Sequence, residues 1–325
     1  MQITLDPVPF SARAVQFAMR VALAVVVSAG LYTAGVTLSP YAGPLLLAVP
    51  LAGLILAERA PSECGLWLFL TAGVVSLGLG SNAAVNFVLL FGVPACVVAV
   101  GLRSRWSIER TVLVGMAAWS VCVASLALLA YGDPTTLIAT ARQELAHGFD
   151  VAVSTYGSLG VPEDTLAAAR AEREVLVTGL LEVLPALVVL AGALMVIANV
   201  VLLRNWTSSL HDVDLRLWRT PDLLIWALIG TGFGMFLPWR PLGLLARNVF
   251  LVLLGGYFCQ GLAIVSYFLE RLRLPRGVRV AGYLLIAVQH IIAGIVLALG
   301  IFDLWGNFRR LDAGSPNMQV PTDSD

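Results

Sequence analysis

The sequence predicts an all-α fold, a polytopic transmembrane helical bundle with eight or nine transmembrane helices, and three observations predict this class. Of the 325 residues, 59% are hydrophobic and only 12% are charged. A soluble domain carries about twice that share of charged residues. The mean hydropathy is +0.88, and apolar runs recur at the roughly 20-residue length that a helix needs to cross a bilayer. Composition therefore places the protein in a membrane.

The apolar runs predict up to nine spans. The first run, residues 14–36, lacks a small-residue cleavage pattern and is expected to be an uncleaved span. Several later runs are short, so they must stand upright or line a cavity. If the short, glycine-rich run 222–237 is re-entrant, the count is eight. The expected spans are 14–36, 41–57, 64–80, 83–102, 109–131, 175–203, 222–237, 243–269 and 279–303.

Residues 132–174 interrupt this pattern and predict amphipathic surface helices in one long loop on the outer side. Asp133 followed by Pro134 is a typical helix start, with the aspartate as cap and the proline at the first helical position. Apolar and charged residues then mix, as in helices that lie on a bilayer or in solvent. The expected organisation is an N-terminal cytoplasmic segment (1–13), an integral membrane domain (14–310) and a disordered C-terminal tail (311–325).

Arginine placement predicts the orientation of the bundle. All 20 basic residues are arginines, and with nine spans most of them fall in inner loops when the N-terminus is cytoplasmic. The expected location is the bacterial inner (cytoplasmic) membrane, with several crossings. Arg309 and Arg310 then lie outside and break the positive-inside rule.

Charged side chains within apolar runs are the first candidates for a binding site. Each costs several kcal/mol in hydrocarbon unless it is paired. The topology predicts that Glu182, Arg247, Asn248 and Asp303 lie at one level, in the outer third of the membrane. There an arginine–carboxylate pair would either fix the helix register or bind a small polar solute.

A second group of polar residues is expected nearer the middle of the bilayer. Gln260, Gln289 and His290 are predicted to face one another between neighbouring helices, where His290 would either hydrogen-bond or act as a protonation switch. Glycines on the same helices allow either close helix contact or room for a ligand. They are Gly255, Gly256, Gly261, Gly294 and Gly300.

Motifs for soluble-type catalysis are absent from the sequence, so we do not expect an enzyme. It contains no HExxH, GxSxG, Walker or GxGxxG motif. The four cysteines lie inside apolar runs without metal-ligand spacing, which indicates small buried hydrophobic side chains. No metal, no cofactor and no nucleic-acid partner is predicted.

A series of residues near the C-terminus carries a family resemblance. Asn248, Tyr257, the run Gln260-Gly261-Leu262-Ala263, Gly300 and the stretch from Asp303 to Arg309 follow one another in order. The series resembles the C-terminal signature of the YybS-like bacterial membrane proteins, a domain of unknown function, over roughly residues 14–310. That family is distantly similar to the S components of energy-coupling-factor transporters, which implies a transporter-like fold.

Two functions remain open from the sequence. Intramembrane charges, short spans and glycine-rich helices favour a small-solute binding or transport component resembling transporter S components. Its partners would be the lipid bilayer, a small polar solute and separate energising membrane proteins, because the chain has no loop for ATP. The alternative is a non-transporting membrane scaffold or regulatory protein that binds other membrane proteins through residues 204–221 or 134–174.

Overall fold

The computed structural model describes residues 10–38, 43–59, 61–204 and 215–309, and within these ranges the regular structure is entirely helical. The predicted tail 311–325 and most of the N-terminal segment 1–13 lie outside the described residues. The chain divides into two compact units, Met1–Asp212 and Val213–Asp325. The domain limits expected from the sequence stay a prediction.

The first unit contains eight α-helices among its described residues. A 3₁₀ turn, Gly43–Ala48, precedes the second helix, and a π-helical segment, Val88–Gly92, interrupts the fourth. The helices are α1 (Phe10–Thr37), α2 (Leu51–Arg59), α3 (Pro61–Leu79), α4 (Ser81–Arg103), α5 (Ile108–Tyr131), α6 (Pro134–Ser158), α7 (Glu163–Ala171) and α8 (Arg173–Leu203).

The second unit contains four α-helices in the part of the chain that is described. A 3₁₀ turn, Leu215–Leu217, leads into them. They are α9 (Leu224–Gly234), α10 (Arg240–Arg271), α11 (Arg276–Val288) and α12 (His290–Gly306).

The predicted number of membrane spans is too high. Among the described residues, five helices are long and apolar enough to cross a membrane, or six if the bent pair α11–α12 counts as one span. The runs predicted as spans 41–57, 64–80 and 222–237 form only the shorter apolar helical stretches Pro44–Glu58, Glu63–Leu79 and Leu224–Gly234. Such helices fall short of the roughly 20 residues that a crossing requires. The loop sides assigned from nine crossings therefore do not follow from the structure.

The expected ninth span, 279–303, is also not one straight helix. The chain bends by 100° between α11 and α12, because Gln289 has an extended backbone (φ −102°, ψ 104°). Neither glycine nor proline, the usual causes of a sharp bend, stands between Ile286 and Ile291. The local sequence therefore does not predict this break in the helix.

The interrupting segment 132–174 contains two helices, α6 and α7, and their place on the outer surface of the membrane stays a prediction. Asp133 caps α6 by accepting hydrogen bonds from the backbone N–H groups of Thr135 and Thr136, both at 2.9 Å. The hydroxyl groups of both threonines also donate to this carboxylate. Together these hydrogen bonds, that of the Thr135 hydroxyl foremost, hold the pKa of Asp133 below its usual range.

The core of the first unit forms around Trp67, which is completely buried. Its indole N–H donates to the hydroxyl of Ser28 at 3.0 Å, and that hydroxyl donates to the carbonyl of Val49 at 3.0 Å. Asn199 donates to the carbonyl of Leu47 at 2.8 Å. These bonds hold the 3₁₀ turn and the start of α2 against α1, α3 and α8, so the short elements have fixed positions.

Candidate functional site

Two glycines let α10 and α12 of the second unit cross with their backbones in contact. A Cβ atom on Gly261 would collide with the carbonyl of Val296, and one on Gly300 would collide with the carbonyl of Tyr257. Of the two alternatives that the sequence left open, these two glycines therefore show close helix contact. At Gly256 and Gly294, by contrast, an added Cβ atom would meet nothing within 4 Å. Contact of the two backbones brings the neighbouring polar residues of both helices together.

A buried ion pair lies beside this crossing. The guanidinium of Arg309 donates to Oδ2 of Asp303 at 2.7 Å, and the two side chains are only 0% and 3% exposed. The backbone N–H of Phe308 donates to Oδ1 of Asp303 at 3.0 Å. Short, charge-assisted bonds of this kind offset much of the cost of removing two charges from water. They also fold the chain after α12 back onto the helix.

Gln260 of α10 completes the arrangement with both ends of its amide. Its Nε2 donates to Oδ2 of Asp303 at 3.1 Å, and its Oε1 accepts from the backbone N–H of Thr220 at 3.0 Å. Gln260 and Asp303, both candidates from the sequence, are therefore brought together. We refer to Gln260, Asp303 and Arg309 as the polar clamp.

The polar clamp holds the segment that leads into α9. One guanidinium nitrogen of Arg309 donates to the backbone carbonyls of Arg216 and Trp218 at 2.6 and 2.9 Å. Together with the hydrogen bond from Thr220 to Gln260, three backbone groups within residues 216–220 are hydrogen-bonded to buried side chains. Both carboxylate oxygens of Asp303 already accept hydrogen bonds. The network is therefore a structural tie, meaning that it holds residues 216–220 in place.

Arg247 and Asp303 do not share one level, contrary to the expectation from nine straight spans. Asp303 contacts Gln260, which follows Arg247 by thirteen residues on the continuous helix α10. At 1.5 Å per residue this is about 20 Å along the helix, beyond the reach of a guanidinium. The amide of Asn248 donates to the carbonyl of Leu244 at 2.9 Å, within its own helix.

The predicted contacts between Gln260 and Gln289 or His290 are also wrong. Both ends of the Gln260 amide bind Asp303 and Thr220 instead. Gln289 and His290 stand at the bend between α11 and α12, and both are exposed. A protonation switch at His290 stays a prediction. So does a binding role for Glu182, a half-buried residue of α8 in the first unit.

A cavity lies in the first unit, at the end of the short helices. It has a volume of about 250 Å³ and opens between the end of α2, the first turn of α3 and the last turns of α4. Ala57 lines it from α2. Gly65 is exposed, and a Cβ atom there would meet nothing within 4 Å, so the cavity is open to the protein surface at this wall. Other lining residues are Cys64, Cys96, Val100, Arg103 and Ser104.

Two of the four cysteines meet in this cavity. The Sγ atoms of Cys64 on α3 and Cys96 on α4 are 3.8 Å apart, and Cys64 is only 4% exposed. Both thiols are free. Next to them, Glu63 is buried and lies 3.8 Å from the guanidinium of Arg20. The cavity thus combines a dithiol with an arginine, Arg103, at its rim.

A family model described as "Predicted membrane protein (DUF2232)" matches residues 7–304. The chain belongs to this family. Comparison with characterised proteins and with solved structures gives no match. The DUF2232 match includes Gln260 and Asp303 but ends before Arg309.

Membership of DUF2232 agrees with the surface of the helices. Large apolar side chains are exposed along one face of α1, among them Val15, Met19 and Val26, each at least 62% exposed. In water such a continuous apolar face would be unfavourable, whereas hydrocarbon accommodates it. The protein is therefore a membrane protein whose helices contact lipid.

Two features of these sites are not predicted from the sequence. The sequence predicts Arg309 as a loop arginine that breaks the positive-inside rule, yet it is 4% exposed and belongs to the polar clamp. The sequence does contain a signal for the ion pair, because Asp303 and Arg309 are close in sequence and both belong to the C-terminal series. It contains no signal for the pair of Cys64 and Cys96, since these residues are 32 positions apart.

Proposed function

We propose that the protein is a small-solute binding or transport component of the membrane and that its solute occupies the cavity of the first unit. The cavity of about 250 Å³ between α2, α3 and α4 is the observation that carries this proposal. Pockets for drug-sized ligands begin at about 300 Å³, so the solute would be smaller. Residues of the short helices α2 and α3 line this cavity, which supports the proposal.

The polar clamp argues against a solute bound at the charged residues of the second unit. Asp303 accepts three hydrogen bonds, and Gln260 uses both ends of its amide. A solute at this position would have to displace intramolecular bonds in a nearly dry environment. The resemblance to S components of energy-coupling-factor transporters agrees with a solute-binding role and implies separate energising subunits.

Filling the cavity tests the proposal. In purified protein in mild detergent, a thermal-shift screen of small metabolites should find a solute that raises the Tm of the wild type. A solute at 100 times its Kd adds about 2.7 kcal/mol of stability. Gly65→Leu should abolish the shift, because the leucine would occupy the open space beside Cys64.

Gly73→Leu is the matched control. Gly73 lies on the same helix, is exposed, and also has nothing within 4 Å of an added side chain. This variant should keep the full shift. A wild type that responds to no solute, or a Gly65→Leu protein that responds as the wild type does, would contradict the proposal.

A membrane scaffold is the second candidate, and one observation favours it. The polar clamp fixes residues 216–220, and Leu217 within this segment and Leu223 just after it are 46% and 77% exposed. A fixed backbone that presents apolar side chains would bind a protein partner at little cost in conformational entropy.

Replacing these leucines separates the candidates. If the protein is a scaffold, a stoichiometric partner should co-purify with the wild type and be lost from Leu217→Glu/Leu223→Glu. The control is Leu272→Glu, at a leucine that is 67% exposed in the turn after α10. Equal recovery of the partner with all three proteins, or no stoichiometric partner at all, would rule against a scaffold that binds through this segment.

A further inference from the structure

We propose that Cys64 and Cys96 form a binding site for a soft monovalent metal cation, Cu(I) or its chemical analogue Ag(I). This inference rests on the proposed function, because it names the solute class of the same cavity. The cysteines come from different helices, α3 and α4, and both line the cavity. An ion could therefore reach the two sulfurs from the cavity side.

The spacing of the sulfurs suits a shared ion. Their separation is 3.8 Å. A two-coordinate d¹⁰ ion holds its two thiolates nearly in line, so metal–sulfur bonds of about 2.3 Å would place the sulfurs about 4.6 Å apart. Binding would therefore require the two sulfurs to separate by less than about 1 Å, which rotation of the cysteine side chains can supply. A disulfide would instead need the sulfurs to approach to about 2.05 Å.

The number of ligands selects the class of metal. Structural zinc sites take four protein ligands, and no group of three or more potential metal-binding side chains occurs in the described ranges. Soft thiolate ligands favour Cu(I), and two thiolates suffice for a d¹⁰ monovalent cation. The hard cations Mg²⁺ and Ca²⁺ prefer oxygen ligands and would find few here.

Charge balance also agrees with a monovalent ion. Two cysteine thiols and Cu⁺ give a bis-thiolate complex with a single negative charge and release two protons, without transfer of electrons. The Arg103 guanidinium lines the same cavity. Arg103 is exposed, and its positive charge on the same cavity would offset part of the negative charge of the complex.

The four cysteines provide a matched pair of variants for the test. The full chain, purified in detergent under anaerobic, reducing conditions, is titrated with Cu(I) buffered by bicinchoninate, and with Ag(I). The wild type should bind one ion per chain. Cys64→Ser/Cys96→Ser should lose at least 100-fold in affinity, whereas Cys122→Ser/Cys259→Ser should bind as the wild type does. The Tm of each apo variant verifies folding.

Each outcome decides a different question. One ion per chain in Cys64→Ser/Cys96→Ser, or no ion in the wild type, overturns the metal site. If the wild type binds no ion but a metabolite shifts its Tm in a manner sensitive to Gly65→Leu, the inference fails and the proposed function stands. If neither ion nor metabolite binds, both fail.

Discussion

Replacing Asp303 by asparagine is expected to lower the free energy of unfolding by about 3–5 kcal/mol, the usual cost of leaving a buried charge without its partner. Asparagine keeps the shape of aspartate but not its charge. The guanidinium of Arg309, 0% exposed, would then remain buried without a counter-charge. The measurement is the free energy of unfolding of the purified protein in detergent, by denaturant titration.

Two further variants make this expectation specific. The double variant Asp303→Asn/Arg309→Gln removes both charges and should recover more than half of the loss, because no isolated charge remains. Glu163→Gln breaks an exposed ion pair with Arg170, whose side chains are 72% and 50% exposed. It should cost at most about 1 kcal/mol. An Asp303→Asn protein as stable as Glu163→Gln would show that the polar clamp is not a structural tie.

Gly300→Ala is expected to destabilise the second unit by about 3 kcal/mol, the upper part of the range for overpacking. The added methyl group would collide with the backbone carbonyl of Tyr257 and come within 2.9 Å of the backbone nitrogen of Gly261. Backbone atoms cannot rotate away as a side chain can, so α10 and α12 would have to separate. The Tm in detergent measures the effect.

Gly294→Ala on the same helix should change stability in the opposite direction. Gly294 has nothing within 4 Å of an added Cβ, and alanine is favoured over glycine within a helix by about 1 kcal/mol. A loss of Tm in Gly294→Ala equal to that in Gly300→Ala would mean that helix contact is not what distinguishes the two glycines.

Features that depend on one continuous segment of the chain are the ones predicted correctly from the sequence. The helices α5 and α8 lie within two residues of the expected spans 109–131 and 175–203, because length and hydropathy suffice to identify a long apolar helix. The cap at Asp133 is equally local. The bend at Gln289 is not, since no glycine or proline beside it marks the end of α11.

Contacts between helices are harder to predict. Gln260 and Asp303 do find buried partners, because polar groups in apolar helices need them, whereas a binding role for either residue stays a prediction. The partner predicted for Asp303 is Arg247, but that prediction counts depth from nine straight crossings. Because of the bend and the shorter helices, the depths in the membrane that were assigned in that way do not hold. The carboxylate therefore pairs with Arg309, which the sequence predicts in an exposed loop.

By itself the sequence determined that this protein is an all-helical membrane protein, since both conclusions depend on the summed hydropathy of contiguous residues. Only the tertiary structure decided which polar groups pair and where space remains. Cys64 and Cys96 are ordinary residues of apolar runs until α3 and α4 pack side by side. Pairing and cavities depend on distances between residues that are remote in the chain, and those distances are set by packing.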